Sequence, residues 1–105
     1  MHLLCPSDAL PEGRSRAFSV AGETLFGVRH HGRVYLYRNR CPHRGIPLNW
    51  AEEGFLDDSA SLIHCGHHGA LFLIDSGECV AGPCEGEALQ ALGCLEDSQG
   101  IWLMG

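Results

Sequence analysis

Apolar and polar residues alternate along this chain in short stretches with a period near two, the signature of strands rather than of amphipathic helices. Thr24–His30 places Phe26 and Val28 on one face. Arg33–Arg38 sets Val34 and Leu36 opposite Tyr35 and Tyr37, and His31-Gly32 between the two predicts a hairpin turn. Ala17–Val20 predicts a strand before them, linked by a turn at Ala21-Gly22-Glu23. Ser61–His64 predicts a short strand, and Ala70–Ile74 is a continuous apolar run, as expected of a strand buried on both faces. Asp75-Ser76-Gly77-Glu78 turns that run back toward Cys79–Ala81, which Gly82-Pro83 ends. Leu92–Glu96 and Ile101–Met104, joined by Asp97-Ser98-Gln99-Gly100, predict a closing hairpin. Residues 5–16 are rich in turn formers and read as an opening loop, Leu48–Ser61 reads as irregular, and residues 85–91 as a single helical turn. Many short strands, Gly-rich turns and no long amphipathic helix predict an all-β sandwich or barrel.

Composition narrows this. At 105 residues with 45% hydrophobic content, the chain predicts one domain spanning 1–105 with a modest core. No apolar run approaches the roughly 18 residues of a membrane span. Met1-His2-Leu3-Leu4-Cys5-Pro6 shows no basic start and no extended apolar stretch, so no signal peptide is read and a cytoplasmic, reducing location is expected. Six cysteines there are expected to be thiols or metal ligands rather than disulfides. The net charge of −6 is unevenly spread. All seven basic residues are Arg within 1–44, against three acids, whereas ten acids and no Arg or Lys follow Gly45. The acidic balance disfavours a nucleic-acid role. The acidic second half suits docking to a basic partner face, and equally a solvated surface that maintains solubility.

The chemistry concentrates in Cys41-Pro42-His43-Arg44-Gly45 and Cys65-Gly66-His67-His68-Gly69. Each stretch offers a thiol and an imidazole, spaced Cys-x-His in the first and Cys-x2-His in the second. Such donors suit tetrahedral zinc or an iron–sulfur centre. Zinc modules commonly supply paired Cys-x2-4-Cys or His-x3-5-His, whereas here both boxes are mixed. A two-iron centre with two Cys and two His ligands takes one of each from two facing loops. Gly45, Gly66 and Gly69 allow close backbone approach, and Pro42 and Pro47 stiffen the turns.

These boxes resemble those of the Rieske-type [2Fe–2S] proteins, whose ligand pairs are Cys-x-His and Cys-x2-His. The likeness extends through Ala70-Leu71-Phe72, the turn at 75–78, and Gly82-Pro83, which resembles the loop covering the cluster in that family. It implies an antiparallel β-sandwich or barrel frame with a small cluster-binding subdomain formed by two loops, about residues 40–73. It also implies one [2Fe–2S] cluster, with Cys41 and Cys65 on the inner iron and His43 and His68 on the outer. High-potential members carry an extra Cys in each box, joined as a disulfide; here those places hold Gly45 or its neighbours and His67. The Ser and Tyr whose hydroxyls bond the cluster in those members are replaced by Ala70 and Phe72. Fewer donors leave the reduced state less stabilised, so a low potential is expected.

The function expected from this resemblance is a small ferredoxin-like electron carrier between a reductase and an oxygenase or other terminal enzyme. No mononuclear iron site, nicotinamide fingerprint or flavin fingerprint is visible, so no catalysis by this chain alone is expected. The alternatives are a small Rieske subunit of a nitrite-reductase-like or oxygenase complex and, behind it, a structural zinc module for protein contacts. Cys5, Cys79, Cys84 and Cys94 read as free thiols, Cys84 being the most open to oxidation. His67 reads as a solvent-facing neighbour of the cluster, His30, His31 and His64 as strand or turn residues, and Trp50 and Trp102 as core or rim aromatics. Arg38, Arg40 and Arg44 around the first box suit either a docking patch or separate pairing with Asp57 or Asp58.

Overall fold

The computed structural model describes residues 1–40, 56, 61–64, 70–82 and 86–104. Among the described residues, nine strands follow in chain order: β1 His2–Cys5, β2 Ser15–Val20, β3 Glu23–His30, β4 Arg33–Arg38, β5 Leu62–His64, β6 Leu71–Leu73, β7 Cys79–Ala81, β8 Ala91–Asp97 and β9 Gly100–Met104. All pairings are antiparallel. They build a six-stranded sheet in the order β1-β9-β8-β4-β3-β2 and a three-stranded sheet β5-β6-β7. This is the all-β, near-barrel architecture that the alternation predicts.

β3 is the hinge of the design. Leu25, Phe26, Gly27 and Val28 are all buried, so this strand has a packed neighbour on each face. Phe26 and Val28 face the small sheet, where they join Tyr37, Ile63, Ala70, Phe72, Ile74, Cys79 and Leu89 in one core, with Tyr35 packed against it. Gly27 turns to the other face, where a Cβ would lie 3.0 Å from Leu36 and 3.3 Å from both Leu10 and Phe18. On that side Cys5, Leu10 and Ile101 form a second core, flanked by Phe18, Val34 and Cys94. The expected split of Val34 and Leu36 from Tyr35 and Tyr37 is therefore the split between the two cores.

The β3–β4 turn is the predicted His31-Gly32, with φ of 53° and 79°. Both values are positive, as a two-residue hairpin of the primed type requires. The Glu12 carboxylate accepts the His31 and Gly32 amides at 2.8 Å each, fastening the opening loop to the hairpin. Those bonds, Gly32 first, hold the Glu12 carboxyl below the usual range.

Three expectations change. The opening segment includes an edge strand, β1, and a short 3-10 helix at Ser7–Ala9, because β9 supplies a partner ladder to His2, Leu3 and Cys5. The run Ala70–Ile74 is not buried on both faces: Ala70, Phe72 and Ile74 are buried while Leu71 and Leu73 are half-buried, the ordinary alternation of a sheet with one covered face. Residues 86–91 form no helical turn; Ala88 bridges Glu78, Glu87 accepts the Cys79 amide, and Leu89 donates to Gly77. A bridge to the neighbouring turn satisfies those backbone groups more completely than one isolated helical turn would.

Candidate metal centre

The four residues expected to bind metal, Cys41, His43, Cys65 and His68, lie outside the described residues, as do Arg44, Gly45, Pro47, Trp50, Asp57, Asp58, Gly66, His67, Gly69, Pro83 and Cys84. The segments that lead into both boxes are described. The first box follows β4. Past Arg38 the chain is held at Asn39, which is 8% exposed and donates its amide to the Thr24 carbonyl at 3.1 Å. The second box is the chain joining β5 to β6, whose register pairs His64 with Leu71, Ile63 with Phe72 and Leu62 with Leu73. Leu56, in the connection between the boxes, bridges Ile63.

The second box runs into Ala70, which is fully buried. Gly82 lies against it: a Cβ on Gly82 would stand 2.7 Å from the Ala70 Cα, and its φ is +96°. The segment after β7 thus closes onto the C-terminal flank of the second box, where the loop resembling the family's cover begins. Ala70 and Phe72 are both fully buried in the core, and neither side chain carries a hydroxyl.

The two arms also meet through Tyr37. Its hydroxyl donates to the Ile74 carbonyl at 2.5 Å, across 37 residues of sequence. Burial first, and the neighbouring Asp75 second, push the Tyr37 phenol up to about 12, so it remains a donor throughout the physiological range.

The expected pairing with Asp57 or Asp58 lies outside the described residues. Arg38 Nη2 bonds Glu23 Oε2 at 2.7 Å, because Arg38 stands beside Leu25 in the β3–β4 register and Glu23 is two residues away on the same face. Arg29, which the sequence pattern does not single out, grips Glu96 through both guanidinium nitrogens at 2.6 and 3.1 Å. The same group donates to the carbonyls of Leu10 at 2.7 Å, Gly32 at 3.2 Å and Ser7 at 3.3 Å, tying β3 to the opening loop and β8. Arg29 is the principal cause of the lowered Glu96 carboxyl, followed by a bond from Ser7.

Cys79 is buried and its thiol donates to the Ala81 carbonyl at 3.2 Å. Burial pushes the Cys5 and Cys94 thiols up, which disfavours thiolate. Cys5 and Cys94 are free thiols, as expected. His30 and His31 stack at the hairpin tip with ring centres 4.1 Å apart, and His64 ends β5 half-buried. Among the described residues no group of three His, Cys, Asp or Glu gathers as a metal site. The donors remaining in the two boxes, thiols with imidazoles, match a two-iron cluster. The small residues at 70 and 82 leave no side chain beyond Cβ where two segments close beside the second box. The residues present fit the group.

The described residues form a small antiparallel frame of two sheets, and both Cys/His boxes fall in the connections outside them. Comparison with known proteins gives the family. The Rieske [2Fe-2S] domain matches residues 1–96, and the chain belongs to that family, whose single Rieske-type [2Fe–2S] cluster is its cofactor. It is 32% identical over 75 residues to the ferredoxin component of the alkene monooxygenase system of Xanthobacter autotrophicus, covering 71% of this chain and 58% of that protein. It is 28% identical over 109 residues to the cholesterol 7-desaturase of Caenorhabditis elegans, covering 97% of this chain and 25% of that protein. The chain thus spans a quarter to somewhat over half of these curated relatives. Among solved structures, the ferredoxin of carbazole 1,9a-dioxygenase from Nocardioides aromaticivorans IC177 superposes with a TM-score of 0.78 at 26% identity, over 96% of this chain and 93% of that one. Among the described residues no helix is long and apolar enough to cross a membrane.

Proposed function

We propose that this chain is an electron carrier of the ferredoxin kind, taking one electron from a reductase and passing it to a terminal oxygenase or comparable enzyme in a reducing, cytoplasmic compartment. The observation that supports the reading is the match to the Rieske family, in a sequence that holds one Cys/His box after β4 and the other between β5 and β6. Residues 1–105 act as one domain, with about 40–73 as the cluster-binding part. Cys41 and Cys65 hold the inner iron as thiolates, and His43 and His68 the outer iron through their imidazoles. The bound cluster supplies a one-electron couple. The chain's own part is to fix the donors, exclude water with the buried wall that includes Ala70 and Phe72, and present one edge to a partner. In this reading the chain passes electrons and performs no catalysis alone. Likeness to ferredoxin components of oxygenase systems supports this.

Anaerobically purified protein is expected to be red-brown and to give an EPR signal only after reduction. Cys41→Ser should abolish the colour and Cys79→Ser should preserve it; loss of colour in both would overturn the ligand assignment. A structural zinc module would be colourless. With Ala70 and Phe72 offering no hydroxyl, the midpoint should lie below about +100 mV, in the lower part of the Rieske range. The relation to a desaturase four times this chain's span favours one second reading, a Rieske unit working inside a larger oxygenase assembly. Stable co-purification with a large catalytic partner would select it.

A further inference from the structure

Two ligand boxes carried by different sheets act as one site only if the sheets keep a fixed relation. β4, which leads into the first box, pairs with β3 and β8, whereas β5 and β6, which flank the second, belong to the small sheet. No strand ladder joins the two among the described residues. Apolar packing holds such layers together but is non-directional and sets no register by itself.

Tyr37 crosses this junction with a directional bond. Its ring lies on the small-sheet face of β4, tilted 36° to Phe26 at a centroid distance of 5.8 Å. Its hydroxyl reaches the carbonyl of Ile74, immediately past β6. The ring edge fills the space above Gly77, where a Cβ would stand 2.8 Å from Tyr37 Cε1. Leu89 closes the seat and donates its amide to the Gly77 carbonyl at 2.8 Å, while the next residue, Gln90, accepts the Arg38 amide at 3.0 Å. Tyr37 stands four positions before Cys41, and Ile74 six after His68. Both ends of the strut therefore lie within a few residues of a ligand box.

We propose that Tyr37 is a positioning residue for the cluster. Its bond to Ile74 and its seat on Gly77 fix the arm bearing Cys41 and His43 against the hairpin bearing Cys65 and His68. Without the hydroxyl, the Ile74 carbonyl stays buried with that bond unmade, and the directional link left between the arms is the indirect backbone path through Leu89 and Gln90. The inference rests on the four-ligand reading above.

The test compares cluster-loaded Tyr37→Phe with Trp102→Phe. The latter removes a 2.9 Å bond from the indole Nε1 to Asp97 Oδ1 within the β8–β9 hairpin. The readouts are the rate of visible absorbance loss in excess iron chelator and the visible circular dichroism of the cluster. Tyr37→Phe should lose colour about tenfold faster, the factor expected for one buried hydrogen bond, with an altered dichroism spectrum. Trp102→Phe should match the parent in both. A parental value of either readout in Tyr37→Phe, or an equal change in Trp102→Phe, overturns the proposal. Should Tyr37→Phe not accumulate as folded protein, Gly77→Ala keeps the hydroxyl but drives a methyl into the ring, and parental behaviour there overturns it equally. Failure of the ligand reading is distinct: it shows as parental colour in Cys41→Ser.

Discussion

β3 runs eight residues and is paired with β2 on one side and β4 on the other, whereas among the described residues no strand of the small sheet exceeds three residues. The long strands draw their order from continuous ladders and tight turns. The short ones cannot: three residues form too few ladder bonds to stand alone. Ile63, Phe72, Ile74 and Cys79 hold them instead by burying against Phe26, Val28 and Tyr37 of the frame. Among the described residues the small sheet thus has the shorter ladders, and its packing depends on the frame.

That contrast is most severely tested by Phe72→Ala. Phe72 is fully buried, and the substitution should cost about 3–5 kcal/mol, a large share of a typical domain stability of 5–15 kcal/mol. Urea unfolding followed by tryptophan fluorescence would measure it, and cluster colour should be lost at lower urea than in the parent. A loss under about 1 kcal/mol would mean that the small sheet does not lean on the frame.

A smaller effect is expected from Gly100→Ala, within the frame. A Cβ there would stand 2.2 Å from the Cys5 carbonyl oxygen, at a φ of +142°. Relief requires β1 to move away from β9, at a cost of about 1–3 kcal/mol. Hydrogen exchange should then rise in β1 while the β5–β6 amides and the cluster keep parental behaviour. Simultaneous loss of both regions would make the two halves one cooperative unit.

The smallest effect concerns the Arg29–Glu96 pair. The Glu96 carboxyl lies below its ordinary value of 4.5 in the folded state, because Arg29 bonds its charged form. Its contribution is therefore complete above that value and is lost as pH falls through the lower, folded value. Side-chain exposures of 14% and 29% screen the pair, so Glu96→Gln should cost no more than about 1 kcal/mol at pH 7. It should also flatten the decline of stability below about pH 4.5. Urea midpoints at pH 7, 5 and 3.5 would show this, and an unchanged acid slope would assign the decline to other carboxylates such as Asp97, lowered chiefly by Trp102.

Much of the frame was legible from local pattern. β4 and β7 fall at the predicted bounds, and β3, β5, β8 and β9 within a residue. The turn at His31-Gly32 was readable because it needs two adjacent residues at positive φ, and glycine supplies one of them without strain. β1 was not readable, because the turn-rich residues after it masked a strand that exists only where β9 offers a ladder. Residues 86–91 misled for the related reason that their bonds go to Gly77, Glu78 and Cys79 rather than to one another.

For the site, the sequence by itself carries the proposed chemistry: two mixed Cys/His boxes, with Ala70 and Phe72 after the second. The proposed ligand set rests on side-chain type, short spacing and the family resemblance, which are legible locally. Only the tertiary structure decided what holds the two arms in relation. Tyr37 meets Ile74 across 37 residues, and Arg29 meets Glu96 across 67. Gly82 likewise meets Ala70 only after β6 and β7 have turned the chain back on itself. Such contacts leave no periodic trace in a sequence, because they depend on which faces the folded sheets bring together.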